Sequence, residues 1–404
     1  MCINLAIIEL RELKKNNMKK ILVTGGAGYI GSHTVKELLK NSYEVIALDS
    51  LEIGHKEAVD LKAQLEIVDL ADKEKIKKIF EKHKPDAVID FAAYLAVGES
   101  MENPKRYFQN NVVNFINLLD VMEEVGCRYL VKSSTAAVYG NPIKEGDIPW
   151  KEEFTEECKP ENSALLSGKW DSLDVKGEEF LQKFIEYYER FYGNRRELKL
   201  VSEEIAELRI PLSIYGLSKL LDEILQKKYD KLHGLKSIAL RYFNVCGADP
   251  DGLIGEDKPR PTTLMILAIY QILGKISELK IFGRDYPTPD GTGIRDYIHP
   301  TDIAIGHISA LKFLSRNGIS EIFNLGTGRG SSVLEVIAAV ERVSGKKVKT
   351  HDCPRRSGDA TVSVADSSKA KRILNWQAKY NLDDMAATAW KWHSENPQGF
   401  SRKK

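Results

Sequence analysis

Three side chains in this sequence have the types and spacing to move a proton. Tyr215 and Lys219 stand four residues apart in Tyr215-Gly216-Leu217-Ser218-Lys219, which puts them on one face of a helix. A phenol is a poor base at neutral pH, with an ordinary pKa of about 10. An ammonium one turn away favours the phenolate, and a positively charged ring held beside it adds to the effect. Thr135, closing the run Ser133-Ser134-Thr135, offers a hydroxyl that can bind a substrate oxygen and steady the proton.

A proton-moving set of this kind does redox chemistry only beside an electron acceptor, and residues 20–31 are shaped to hold one. The run is a short apolar strand, then Gly25-Gly26-Ala27-Gly28, then a helical stretch that includes Gly31. Glycines at 25, 28 and 31 allow a tight turn, a close backbone approach to a pyrophosphate and packing of helix on strand. The free N–H groups and positive dipole end of that helix face the phosphates. A second strand over 44–48 ends in Asp49, placed to accept from ribose hydroxyls and to repel a 2′-phosphate, so NAD is expected rather than NADP. Lys56 lies close by in sequence and runs against that preference.

The elements that must position these residues follow from periodicity. Strands are expected over 64–68, 87–91 and 129–132, with helices over 29–40, 73–84 and 103–126 between them. Strands alternating with helices give an α/β fold, a doubly wound parallel sheet of Rossmann type, with ligands along the carboxyl ends of the strands. Asp69 then falls near an adenine, and Phe91, Ala92 and Ala93 fall against the pyrophosphate and the nicotinamide ribose. The apolar stripe Phe108, Val112, Phe115, Leu118, Leu119, Met122 reads as core, or as a face that buries a partner helix.

With 404 residues, 43% hydrophobic and 29% charged, the chain can bury a large core, and a net charge of +1 supplies no field for nucleic acid. Five scattered cysteines without a C-x-x-C pair suit a reducing cytoplasm and neither a disulfide framework nor a metal site. No apolar run has the roughly 20 residues of a membrane span. Residues 1–17 lack the pattern of a signal peptide and read as a short extension or a start-codon artefact, since Met18 leads directly into the first strand.

From about residue 18 to 400 the chain resembles the extended short-chain dehydrogenase/reductase family and, within it, the UDP-glucose 4-epimerases. The residues that carry the resemblance are TGGAGYIGSH at 24–33, AVGES at 96–100, RYFN at 241–244, IFGRDYPTPDGTGIRDYIH at 281–299 and NPQGF at 396–400. It implies a resident NAD reduced and reoxidised within each turnover, a 4-keto sugar as intermediate, and a cytoplasmic homodimer. By match of positions, Tyr215 is the base, Lys219 its electrostatic support and Thr135 the hydroxyl partner. Tyr29, Ile30, Leu70, Asn110, Ser133 and Tyr242, with Tyr215 and Lys219 themselves, join the glycines, Asp49, Asp69 and residues 91–93 around the cofactor. Asn244, Thr263, Leu264, Phe282, Arg295, Arg356, Asp359 and Ser363 match positions that hold the UDP-sugar, with Arg355 beside Arg356 as the alternative at that place. The implied organisation is an NAD-binding domain over 18–245 and a smaller sugar-nucleotide domain over 246–400.

Four departures from the pattern carry expectations. Leu95 replaces a common lysine near the cofactor diphosphate, which removes one charge contact. Thr263 replaces a common asparagine beside the UDP. Ser363 is small where some relatives carry tyrosine, so UDP-N-acetylhexosamines are expected as substrates alongside UDP-glucose and UDP-galactose. An insertion over 144–197 contains an amphipathic stretch at 178–192 that fits a packed helix, a lid or a dimer contact. Thr135 is followed by Ala136 and Ala137 and not by two acids, which argues against dehydration. A pentose or uronate 4-epimerase remains the alternative enzyme, and a non-catalytic NAD-binding regulator the alternative class.

Overall fold

Lys20–Thr24 forms β1, the centre of the structure, a computed structural model that describes residues 18–140, 148–152, 169–170, 175–176, 213–356 and 359–402. Ile21, Leu22 and Val23 are fully buried, as expected of a parallel strand covered on both faces. The glycine turn leads into α1 (Tyr29–Lys40), then β2 (Glu44–Asp49), β3 (Gln64–Ile67), α2 (Lys73–His83) and β4 (Ala87–Asp90). The single helix expected over 103–126 is interrupted. A turn of helix at Pro104–Tyr107 passes into a π-helical stretch, Phe108–Val113, before α3 (Asn114–Val125), and π segments of this kind recur at functional sites.

The strand expected over 129–132 runs on as β5 (Tyr129–Thr135), so Thr135 is its last residue. After the insertion come α4 (Ile214–His233) and β6 (Lys236–Tyr242), and much later α5 (Pro300–Asn317) and β7 (Glu321–Leu325). The sheet order is β7-β6-β5-β4-β1-β2-β3, all parallel, so the main sheet draws its last helix and strand from beyond residue 245. Its order reverses between β1 and β4, the place where such sheets open a crevice for a ligand. One face packs α2, α3 and α4 through Ile76, Phe115, Leu119 and Leu221; the other packs α1 and α5 through Val35, Leu38, Ile308 and Leu311.

A smaller layer surrounds the strand Ile294–Ile298. It pairs antiparallel with Gly330–Ser332 and parallel with both Val362–Ser363 and Asn244–Val245. Helices Leu264–Ile272, Val333–Ser344 and Leu382–Glu395 close its own core through Met265, Ile269, Val336, Val340 and Met385. The described start of the insertion is pinned between the layers. Trp150 stacks on Tyr139 at 4.9 Å, its N–H donates to Val364 and its carbonyl accepts from Asp366, both at 2.8 Å. The amphipathic stretch 178–192 lies outside the described residues. Among those described, no helix is long and apolar enough to cross a membrane.

Candidate active site

Ser213 fixes where α4 begins, its hydroxyl accepting from the Gly216 N–H at 3.1 Å. The cap points the first turns at the end of β5, and i,i+4 spacing brings Tyr215 and Lys219 there together. The Tyr215 phenol faces the Thr135 side chain, whose Oγ1 accepts from the Ala137 N–H at 3.1 Å. Lys219 donates to the Ser133 carbonyl at 3.1 Å. Ser133 in turn shares a hydroxyl hydrogen bond with Tyr242 on β6. Thus Tyr215, Lys219, Thr135, Ser133 and Tyr242 converge at the carboxyl ends of two neighbouring strands.

Tyr215 is half-buried, and burial pushes its phenol up to about 12. The Thr135 side chain and the Lys132 ammonium pull it back down, and Asp222 opposes them. Lys132 is a cation near the phenol that the sequence, which pointed to Lys219 and a positively charged ring, did not single out. Lys219 is itself lowered to about 8, first by burial and then by the Lys132 charge. Burial raises Asp222 to about 6. Sequence reasoning missed Lys132, Asp90 and Asp222, although a lysine and an aspartate inside apolar strand runs were visible signals.

The glycine turn fits a pyrophosphate on two observations. Gly28 at the N-cap gives α1 no capping side chain and the first turn holds no acidic residue, so its amides and dipole face outward without a built-in anion. A Cβ on Gly31 would come 2.0 Å from the Gly25 carbonyl oxygen, and one on Gly25 would come 2.9 Å from the Ala92 nitrogen. The turn is therefore closely packed against itself and against residues 91 and 92. Tyr29 and Ile30 supply the first helical positions, and the Tyr29 hydroxyl is spent on the Gly247 carbonyl at 2.7 Å.

Asp49 ends β2 with its carboxylate accepting from Ala27 at 2.9 Å and Leu51 at 2.8 Å. Burial pushes this acid up and the backbone N–H groups pull it down. Asp69 is exposed, accepts from the Ala71 N–H, and lines a groove of ≈ 810 Å³ with Ser50, Glu52 and Val68 beyond β2 and β3. Leu70 is buried in the core on one face of the sheet. Asn110 lies in the π segment and donates to Asn111 at 3.1 Å. Asn111, not singled out in the sequence, braces this edge through the Tyr94 N–H and carbonyl and the Ser218 hydroxyl. Leu95 is 49% exposed. Beside it the Tyr94 hydroxyl donates to Glu52 at 2.6 Å, tying the loop after β4 to the loop after β2 across the end of β1.

The second group of expected residues gathers on the strand Ile294–Ile298. Arg295 pairs in register with Ser363, and Tyr297 with Asn244. The Arg295 guanidinium lies 3.9 Å from Asp359. Arg356 sits over the Phe282 ring at 3.7 Å, whereas Arg355 is taken up by Asp285 and the face of Tyr286. Thr263 donates to the buried Glu256 carboxylate, and Leu264 follows it at the start of its helix. Among the described residues, no cluster of three or more His, Cys, Asp or Glu is placed to hold a metal ion.

Comparison with known proteins agrees with this geometry. The profile of the NAD dependent epimerase/dehydratase family matches residues 21–164, and that of GDP-mannose 4,6 dehydratase matches residues 189–389. A bifunctional UDP-glucose 4-epimerase and UDP-xylose 4-epimerase of Pisum sativum is 42% identical over 400 residues, covering 95% of this chain and 98% of the relative. The UDP-glucose-4-epimerase of Stenotrophomonas maltophila, solved with NAD and formylated UDP-arabinopyranose, superposes with a TM-score of 0.77 at 34% identity, covering 95% and 99% of the two chains. The UDP-Glc/GlcNAc 4-epimerase of Campylobacter jejuni gives 0.69 at 36% identity over 93% and 99%.

Proposed function

The chain belongs to the UDP-glucose 4-epimerase family of NAD-dependent epimerases and dehydratases, and from that premise we propose how its own residues perform the reaction. The activity is NAD-dependent interconversion of UDP-glucose and UDP-galactose. Tyr215 takes the proton of the sugar C4 hydroxyl as that carbon becomes a ketone, and returns it when the carbon is reduced on its other face. NAD, when bound, supplies the reversible exchange of two electrons with C4. Thr135 holds the sugar oxygen and the Tyr215 hydroxyl in one hydrogen-bonded line, and Lys219 keeps a positive charge beside them. Gly25, Gly28, Gly31 and the start of α1 hold the pyrophosphate, and Asp49 the adenosine ribose. Asp69, Leu70, Phe91, Ala92, Ala93, Asn110, Ser133 and Tyr242 line the rest of the cofactor cleft. The observation that carries this reading is the meeting of Tyr215 with Thr135, with Lys219 on the same helix face, at the strand ends beside the glycine turn.

Separate incubation with UDP-galactose, UDP-N-acetylgalactosamine, UDP-arabinose and UDP-glucuronate, followed by chromatography of the products, tests the function. UDP-galactose gives UDP-glucose, and failure of every substrate would overturn the reading. UDP-N-acetylgalactosamine is also turned over, because Ser363 beside Arg295 leaves room for the acetamido group. Ser363→Tyr then lowers that second activity by about tenfold to a hundredfold relative to UDP-galactose, the range a pocket achieves through bulk alone. Equal losses on both sugars would remove the gate from residue 363.

Arg295 is assigned to the UDP phosphates, a role its planar fork suits. Arg295→Met raises KM for UDP-galactose by roughly tenfold to a hundredfold, the loss of a hydrogen bond to a charged group, and changes kcat little. Steady-state kinetics that show the reverse split would move Arg295 from binding to chemistry. Assembly as a homodimer in the cytoplasm belongs to the same reading, and sedimentation equilibrium of the full chain tests the dimer.

A further inference from the structure

One layer behind Tyr215 and Lys219 lies a second set of charges. Register places Thr24, Asp90 and Lys132 side by side on β1, β4 and β5. Lys132 Nζ sits 2.5 Å from Asp90, with the Phe115 ring 4.1 Å away, and both charged side chains are fully buried. Asp90 is further occupied by the Thr24 hydroxyl and by the Ala92 N–H at 3.0 Å. Asp222, on α4, stands between two ammoniums, 3.3 Å from Lys132 and 4.0 Å from Lys219. An apolar side chain at position 132 would pack on this face without the desolvation cost of a buried ion, so stability alone explains the lysine poorly.

We propose that Lys132 is a positioning residue for the catalytic pair: it holds Asp222 to its own side, so that the Lys219 ammonium stays free for Tyr215 and does not close into an ion pair with Asp222. The buried charges balance only with Lys132 present, two carboxylates against two ammoniums. The remaining charged neighbours of Lys219 do not change this. Glu223 on α4 is matched by Arg241 on β6 at 2.5 Å, and Tyr242 is spent on Ser133. Without Lys132, two buried carboxylates face one ammonium, and Lys219, three residues from Asp222 on the same helix, is drawn onto it.

The two neighbours of Lys219 therefore act on Tyr215 with opposite signs. Loss of Lys132 removes a cation that stabilises the phenolate, and loss of the Asp222 charge removes an anion that opposes it. In the holoenzyme, Lys132→Met moves the acidic limb of the kcat–pH profile upward by about one unit, and kcat at neutral pH falls about tenfold for each unit moved. KM stays near its original value. Lys132→Arg restores the profile, and adding Asp222→Asn to Lys132→Met restores most of kcat by leaving Asp90 against Lys219. Asp222→Asn alone moves the limb downward.

Melting temperatures separate folding from function. A folded Lys132→Met protein with unchanged kcat and pH profile overturns the proposal, as does a double variant no more active than the single one at equal melting temperature. Should Lys132→Met fail to fold, Asp222→Asn still decides, because an unmoved or upward-moving limb contradicts the assigned role.

Discussion

Tyr215→Phe abolishes epimerisation, lowering kcat for UDP-galactose by at least about a thousandfold, within the range that a positioned proton-transfer group contributes. The change removes one oxygen, and with it the atom that faces Thr135 and the acceptor of the sugar proton. NAD remains bound, because its phosphates and adenosine ribose are assigned to the glycine turn after β1 and to Asp49 at the end of β2. The pH dependence supplies a second mark. Burial holds the phenol up near about 12, with Thr135 and Lys132 pulling it down, so the base form is lost as pH falls. Activity of the unmodified protein therefore declines on the acid side, and the residual activity of Tyr215→Phe lacks that limb. Product chromatography and the absorbance of released cofactor check both halves. A variant retaining a tenth of the original kcat would take the base role from Tyr215.

What could be read from the sequence depended on how far apart the partners are in the chain. The turn from β1 to α1 was legible because its glycines lie within seven residues and each spacing has a local geometric meaning. Tyr215 and Lys219 were legible because four residues on a helix fix their relation. Lys132, Asp90 and Asp222 were not, since strand register and the packing of α4 bring together residues 42 and 90 positions distant in sequence. No periodicity records that meeting. The same limit hid the full extent of the main sheet, whose β7 comes from residues 321–325 after the first strands and helix of the smaller layer have intervened. The break of the expected helix at Phe108–Val113 had no sequence mark either, as its apolar stripe continues through the π segment. It is Asn111, tied to Tyr94 and Ser218, that holds this edge in place.

Gly31→Ala removes bound NAD and lowers the melting temperature, the reverse of what helix propensity alone dictates. Alanine favours a helix interior over glycine by about 1 kcal/mol. Gly31 sits inside α1, so on that ground the change would stabilise. Space decides otherwise. A Cβ there would lie 2.0 Å from the Gly25 oxygen and 2.9 Å from its carbonyl carbon, atoms of a backbone turn with no side chain to swing aside. Gly25 cannot retreat, because it holds a φ of +66° and already lies against residues 91 and 92. Overpacking in a tight site costs typically about 1–3 kcal/mol, and here the displaced atoms are those that would face the pyrophosphate. Gly98→Ala is the matched control. It too is a helical glycine, in Val97–Glu102, yet its added Cβ meets nothing within 4 Å, so propensity wins and the protein is unharmed or slightly steadier. Cofactor content by absorbance and melting temperature, measured on both variants, separate the two cases. If Gly31→Ala keeps its NAD, the turn is looser than its geometry states, and the resident cofactor must be held mainly from the strand-end residues around Asp49 and Phe91.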